Sequence, residues 1–206
     1  MITEKQLRIF EVFAKKPFAE HTRKEIKEES KEKSNNALAL AINLLKREEV
    51  LAEKKIGKSG LLTLNLESDL TYYYIALCNN IRIPHLAKLS LESLKRELAE
   101  NTPFFSITIF GSYASGEQKK DSDLDIAVFI EEETKRKKIE ASANSAKLRS
   151  PLGMDIHIIP KAEMHEMLTN NEENLGKQIA RKHLAAYNHR IFYEIIKEGM
   201  KHGFRA

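Results

Sequence analysis

The sequence predicts a mixed α/β (α+β) chain of two unlike modules, and three observations carry that expectation. Helix-capping signatures and helical apolar spacing crowd the first third, which ends in two apolar stretches flanking a glycine-bounded turn. From residue 104 onward, stretches rich in β-branched and aromatic residues alternate with helical ones. Charge divides the same way. Residues 1–66 hold 14 Lys and Arg against 10 Asp and Glu, and residues 67–206 hold 20 against 20, so the formal +4 belongs to the first third.

Thr3-Glu4-Lys5-Gln6 is a capping box, with Leu7, Phe10 and Phe13 following at helical spacing until Lys16-Pro17. Thr22-Arg23-Lys24-Glu25 is a second box, opening a short helix to about Ser30. Ser34 can cap a third helix, from Asn35 to about Glu49, with Leu38, Ile42 and Leu45 on one face. Val50 to Ile56 and Leu61 to Leu66 then flank Gly57-Lys58-Ser59-Gly60 and read as a hairpin. Residues 67–100 form a helical connector, in which Leu70, Tyr73, Tyr74, Leu77 and Cys78 suit a buried stripe. Residues 101–206 make the second module.

At 206 residues the chain can bury a sizeable core. Its composition is 42% hydrophobic, yet no run approaches the ~18 apolar residues of a membrane span. The first residues lack the basic-then-apolar pattern of a signal peptide. A single cysteine, Cys78, excludes an internal disulfide framework and a cysteine-rich zinc site. The expectation is a cytoplasmic protein that does not engage a membrane. The basic balance of the first third fits nucleic-acid contact, and equally a solvated Lys/Glu surface.

The chemistry concentrates after Thr102-Pro103. Phe104 to Phe110 reads as a buried strand that stops at Gly111-Ser112. A strand leading through Gly-Ser into a short helix exposes backbone N–H groups and a hydroxyl, as phosphate binding requires. Gly111 lets the backbone come close, and Ser112 can donate a hydrogen bond to terminal phosphates. A charged loop leads to Ser122-Asp123-Leu124-Asp125-Ile126-Ala127-Val128-Phe129-Ile130. Strand alternation puts Asp123 and Asp125 on one face and Leu124, Ile126 and Val128 on the other. Two like charges side by side call for a cation between them, and magnesium, bound by carboxylates plus substrate phosphates, supplies it. Asp121 offers a rival pairing, but Leu124 and Ile126 favour Asp123 with Asp125. A third acid, Asp155, lies in the short strand Gly153 to Pro160 and shares its face with His157 and Ile159. His165, His183, His189 and His202 have no metal-ligand spacing.

Three helices and a basic hairpin resemble the winged helix-turn-helix family, across roughly residues 3–66. That resemblance implies a duplex DNA partner, with Ser34, Asn35 and Asn36 facing base edges and Lys54, Lys55 and Lys58 on the wing near phosphates. Gly111-Ser112, the Asp123/Asp125 strand and Asp155 together resemble the minimal branch of the polymerase-β-like nucleotidyltransferase superfamily, over about residues 103–160. This second resemblance implies a small palm-like domain with a mixed sheet, moving a nucleoside monophosphate from an NTP, expected to be ATP, to an acceptor hydroxyl. It also implies two magnesium ions on Asp123 and Asp125, with Asp155 completing the catalytic metal site or activating the acceptor. Tyr113 and Ser115 depart from the family pattern, which often has basic residues there. Related minimal transferases act as antitoxins, so the resemblance further implies a cognate HEPN-type toxin and a homodimer. A second function class stands beside the enzyme: a DNA-binding regulator or antitoxin whose transferase fold senses NTP or docks a partner without turnover.

Overall fold

In the computed structural model, residues 2–56, 59–131 and 133–205 are described, and the chain divides into two compact units, Met1–Cys78 and Asn79–Ala206. Within the first unit, both capping boxes form. Thr3 caps α1 (Glu4–Lys15) and Thr22 caps α2 (Arg23–Glu29), and each is answered by the Gln or Glu three residues on. Ser34 caps α3 (Asn35–Arg47), its hydroxyl oxygen accepting from the Ala37 N–H. The hairpin is β2 (Leu51–Ile56) and β3 (Ser59–Leu64), paired antiparallel. Its expected turn residues Gly57 and Lys58 lie outside the described residues. A two-residue strand, β1 (His21–Thr22), adds to the far side of β3 and gives the order β1-β3-β2. The helices close over this sheet through Phe10, Phe13, Ile26, Ile42, Leu45 and Leu62, all fully buried. Each such side chain contributes about 1.5–3 kcal/mol by leaving water.

The unit boundary falls inside α4 (Asp69–Arg82). Here the expected buried stripe holds in part: Cys78 is buried, and Leu70 and Tyr74 are half-buried. Tyr73, however, is 70% exposed and Leu77 40%, and Tyr72 and Ile75 are buried instead. A helix with apolar residues on most faces admits two stripes about 100° apart, and tertiary packing rather than periodicity selects one.

Within the second unit, α5 (His85–Ala99) leads to β4 (Phe105–Ile109), α6 (Gly111–Ser115) and β5 (Leu124–Ile130). There follow α7 (Arg136–Arg149), β6 (Met154–Pro160), α8 (Lys161–Thr169), α9 (Leu175–Arg181), β7 (Leu184–Tyr187) and α10 (His189–Lys201). The sheet order is β6-β5-β4-β7. β4 runs antiparallel to β5 and β7, while β5 and β6 are parallel, so the sheet is mixed, as the second resemblance implies. The parallel pair is joined through α7, the usual crossover for strands that cannot share a tight turn. Ile107, Ile109, Leu124, Ile126 and Val128 form one buried face with Leu94 and Leu98 of α5 and Ile139, Ala143 and Ala146 of α7. On the other face Phe129 meets Phe192 of α10 at 5.3 Å between ring centroids. Among the described residues no helix is long and apolar enough to cross a membrane.

The strand β7 and helices α8 and α9 are additions to the sequence reading. His183 sits just before β7, buried, with Nδ1 3.1 Å from the carbonyls of Ile179 and Ala180 and Nε2 3.2 Å from the Tyr193 hydroxyl. That arrangement holds a neutral ring whose Nδ1–H donates and whose Nε2 accepts. Burial lowers its pKa to about 4, against the pull of the two carbonyls. The unfolded chain therefore binds a proton that the native state refuses between about pH 6.5 and pH 4. Native stability should be full above that window and decline as pH falls through it, by about 2 kcal/mol from His183 between pH 7 and pH 5. Urea unfolding at the two pH values measures this. In His183→Asn the pH 7 stability should drop, and this share of the pH dependence should vanish.

Candidate functional site

The site begins where β4 ends. The Phe110 N–H donates to the Asp125 carbonyl at 3.0 Å, carrying the β4–β5 pairing one residue past Ile109. The chain then turns sharply at Gly111, whose φ of +63° is the left-handed region that L side chains avoid. Helix α6 is a single turn, closed by Gly116 at φ +76°. Ser112 is half-buried, and its backbone N–H donates to the Asp125 carboxylate.

Asp123 and Asp125 occupy the start of β5, with Asp123 exposed one residue before the strand and Asp125 half-buried within it. Leu124, between them, is fully buried, so the alternation holds. The parallel register sets Asp125 directly beside Asp155. Three carboxylates from two adjacent strands thus gather near the Gly111-Ser112 turn. Their proximity has an electrostatic signature. The Asp125 carboxyl is pushed above its ordinary pKa, first by burial and then by Asp155 and Asp123, while His157 and the Ser112 N–H oppose the rise.

Two glycines lie against these acids. A Cβ built on Gly111 would stand 2.0 Å from Asp125 Oδ2, and one on Gly153 would stand 1.9 Å from Asp123 Oδ1. The sequence reading has Gly111 make room for nucleotide; the structure shows that the nearest thing it makes room for is Asp125. Asp155 is exposed and takes the His157 Nε2 at 3.1 Å, and the His157 ring lies 5.7 Å from that of Phe110. His157 therefore faces the acids, as its parity with Asp155 allows. Gly153 carried no signal in the sequence beyond its place before a short strand.

Among the described residues, no three His, Cys, Asp or Glu side chains converge closely enough to hold a metal ion as they stand. The donor set nonetheless fits a hard divalent cation: carboxylate oxygens only, mutually repelling, two of them seated in space that a Cβ would fill. Asp121 stays in the exposed turn before the strand. Tyr113, at the position where the family often has a basic residue, is buried, its hydroxyl 3.5 Å from the Ser122 carbonyl. Arg82, which the sequence reading missed, reaches the Ala114 carbonyl of α6 at 3.2 Å. Two cavities of about 400 Å³ lie at the opposite end of β5, lined in part by Glu131, Lys161, Ile195 and Glu198.

The residues singled out for DNA belong to the first unit. Ser34, Asn35 and Asn36 are exposed at the start of α3, with Asn35 Oδ1 accepting from Lys27 at 2.6 Å. Lys54 and Lys55 are exposed on β2, and Lys58 lies outside the described residues.

Comparison with known proteins shows what part of this second unit is similar to. Residues 91–182 match the family model for the nucleotidyltransferase domain, a segment that takes in Gly111, Ser112, Asp123, Asp125 and Asp155. Together with the mixed α/β fold, the match supports a nucleotidyltransferase. Over 38 residues the chain is 60% identical to a protein of Methanocaldococcus jannaschii named as a protein adenylyltransferase. That stretch covers 18% of this chain and 44% of the relative, so the chain spans less than half the length of the curated relative it matches. A chain from a crystal structure of a toxin-antitoxin with AMP-PNP aligns at 20% identity and a TM-score of 0.37, over 53% of this chain and 83% of that one. That score is too low to carry a structural argument.

Replacing Gly111 by alanine should damage both fold and site. The left-handed backbone there disfavours any Cβ by about 1–2 kcal/mol. The new methyl must also displace the Asp125 carboxylate. Calorimetric titration with magnesium and ATP should show binding lost, and a melting curve should show lowered stability. Retained affinity would move the nucleotide site away from this turn.

Proposed function

We propose that the second unit transfers AMP from ATP to an acceptor hydroxyl, releasing pyrophosphate. The observation that carries this reading is the register of the parallel pair, which brings Asp155 beside Asp125 next to the Gly111-Ser112 turn. The adenylyltransferase relative supports ATP as donor and a protein hydroxyl as acceptor. Magnesium on these carboxylates would neutralise charge developing on the attacking and leaving oxygens. Asp123 and Asp125 would hold the cation that arrives with the triphosphate. The Ser112 hydroxyl would donate to a terminal phosphate oxygen, worth about 1.5–3 kcal/mol for a bond to a charged group. Asp155, on the neighbouring strand, would serve the acceptor side, as ligand to a second ion or as base toward the hydroxyl proton. His157, bonded to Asp155, would orient that carboxylate.

The first unit we read as a winged helix-turn-helix domain, with Asn35 and Asn36 of α3 toward base edges and Lys54 and Lys55 toward phosphates. Three short helices, a hairpin and an exposed basic strand support it. A regulator or antitoxin that binds DNA and a cognate toxin of HEPN type, as a homodimer, is compatible with transfer. A toxin hydroxyl would then be one acceptor to try.

Two measurements test these readings. With labelled ATP, magnesium and cell extract, the wild-type chain should label an acceptor. Asp155→Asn should keep near-normal magnesium-ATP affinity while transfer falls at least ~100-fold, the scale of losing a general base. Wild-type transfer in that variant would make Asp155 a bystander, and lost ATP binding would undo the division between donor and acceptor sides. For DNA, the full chain should bind a duplex in a salt-dependent way. Lys54→Ala with Lys55→Ala should reduce the slope of log K against log salt by roughly 1.8, about 0.9 for each phosphate that a lysine no longer neutralises. An unchanged slope would take β2 off the DNA.

A further inference from the structure

The two glycines beneath the acids differ in why they are glycine. Gly111 needs its left-handed backbone, whereas Gly153 lies outside the positive-φ region that L side chains avoid. Any residue could adopt the Gly153 backbone. The space its missing side chain leaves is filled by Asp123: the three atoms nearest a Cβ built there all belong to that side chain, at 1.9, 3.1 and 3.9 Å. The main chain is tied to the same region, since the Leu124 N–H donates to the Gly153 carbonyl at 2.8 Å. Asp123 is otherwise unrestrained. It precedes β5, is exposed, and makes no hydrogen bond or ion pair among the described residues.

We propose that Gly153 is a positioning residue of the acid cluster, whose bare α-carbon seats the Asp123 carboxylate against the start of β6, beside Asp125 and Asp155. The inference rests on the reading of Asp123 as a ligand to the cation that accompanies the triphosphate. A carboxylate on an exposed, unpartnered side chain samples several rotamers, and a seat that fits one of them removes part of that freedom before the ligand arrives. Gly153 touches no substrate and acts only through Asp123. A methyl group at this position would occupy the seat and turn the carboxylate outward. Because Asp123 is exposed, the fold loses little when it moves. Alanine at an ordinary φ also narrows the unfolded ensemble, which favours the native state. Stability and function should therefore move in opposite directions, an outcome that a purely structural role for this glycine would not produce.

The test uses the full chain in four forms: wild type, Gly153→Ala, Asp123→Asn and the double variant. Magnesium-ATP affinity is read by calorimetry without acceptor, and thermal stability without ligand. Gly153→Ala should melt at or above the wild-type temperature and bind magnesium-ATP ~10-fold or more weakly, about 1.4 kcal/mol or more of affinity. In the Asp123→Asn background the same substitution should cost nothing further, as expected of two residues acting through one contact. Wild-type affinity in Gly153→Ala, with affinity lost in Asp123→Asn, would overturn the inference and leave Asp123 as a ligand. Wild-type affinity in Asp123→Asn would remove the ligand reading first and the inference with it. A lowered melting temperature together with further loss in the double variant would place the role of Gly153 in folding, against the proposal.

Discussion

The site depends on one pairing, the parallel register of β5 and β6, which places Asp125 and Asp155 side by side. Like charges in adjacent positions on neighbouring strands repel, and the raised pKa of Asp125 records burial first and then that repulsion. The sheet tolerates the arrangement because, His157 aside, the rest of the pair is apolar. Ile126 beside Ile156 and Val128 beside Ile158 belong to the face packed against α5 and α7, and Phe129 beside Ile159 is buried on the other. A one-residue slip would turn Leu124, Ile126 and Val128 out of that core, so hydrophobic burial fixes the register that brings the acids together.

Both edges of the acid cluster are backbone rather than side chain. Gly111 turns the chain from β4 into α6 and leaves Asp125 its space, and Gly153 leaves Asp123 its space at the start of β6. Neither of these two carboxylates has a cationic side-chain partner in an ion pair among the described residues, and Asp125 accepts from the Ser112 N–H. Among the three acids only Asp155 has a side-chain partner, His157, and that bond joins two groups on one strand. The result is an acidic cluster beside the Ser112 N–H, and on the proposed reading a triphosphate would bring the counter-ion to it.

The first unit follows a different logic. Its helices are set by local signals, two capping boxes and the Ser34 cap, and its core by fully buried apolar side chains such as Phe10, Phe13, Ile26, Leu45 and Leu62. Its surface charge is mostly internal to the unit: Glu32 pairs with Lys5, and Glu53 with Lys46 and Arg23. Lys54 and Lys55 have no such partner among the described residues, which makes β2 the strand with cations to spare.

The sequence by itself determined the short-range features. Capping boxes, the hairpin, the buried β4 run and the Asp123/Asp125 alternation depend on residues at most a few positions apart, and local physics settles them. It also placed Asp155 on a strand, and left open what that strand lies beside. Only the tertiary structure decided that Asp155 is the neighbour of Asp125, that His157 faces the cluster, and that Gly153 is the floor under Asp123. Each of these joins segments some 30 residues apart through the α7 crossover, and no local pattern encodes that distance. The same reason explains the error on α4. With apolar side chains on several faces, its periodicity could not say which face would be covered, and packing buried Tyr72 and Ile75 beside the expected Cys78 while leaving Tyr73 and Leu77 outside.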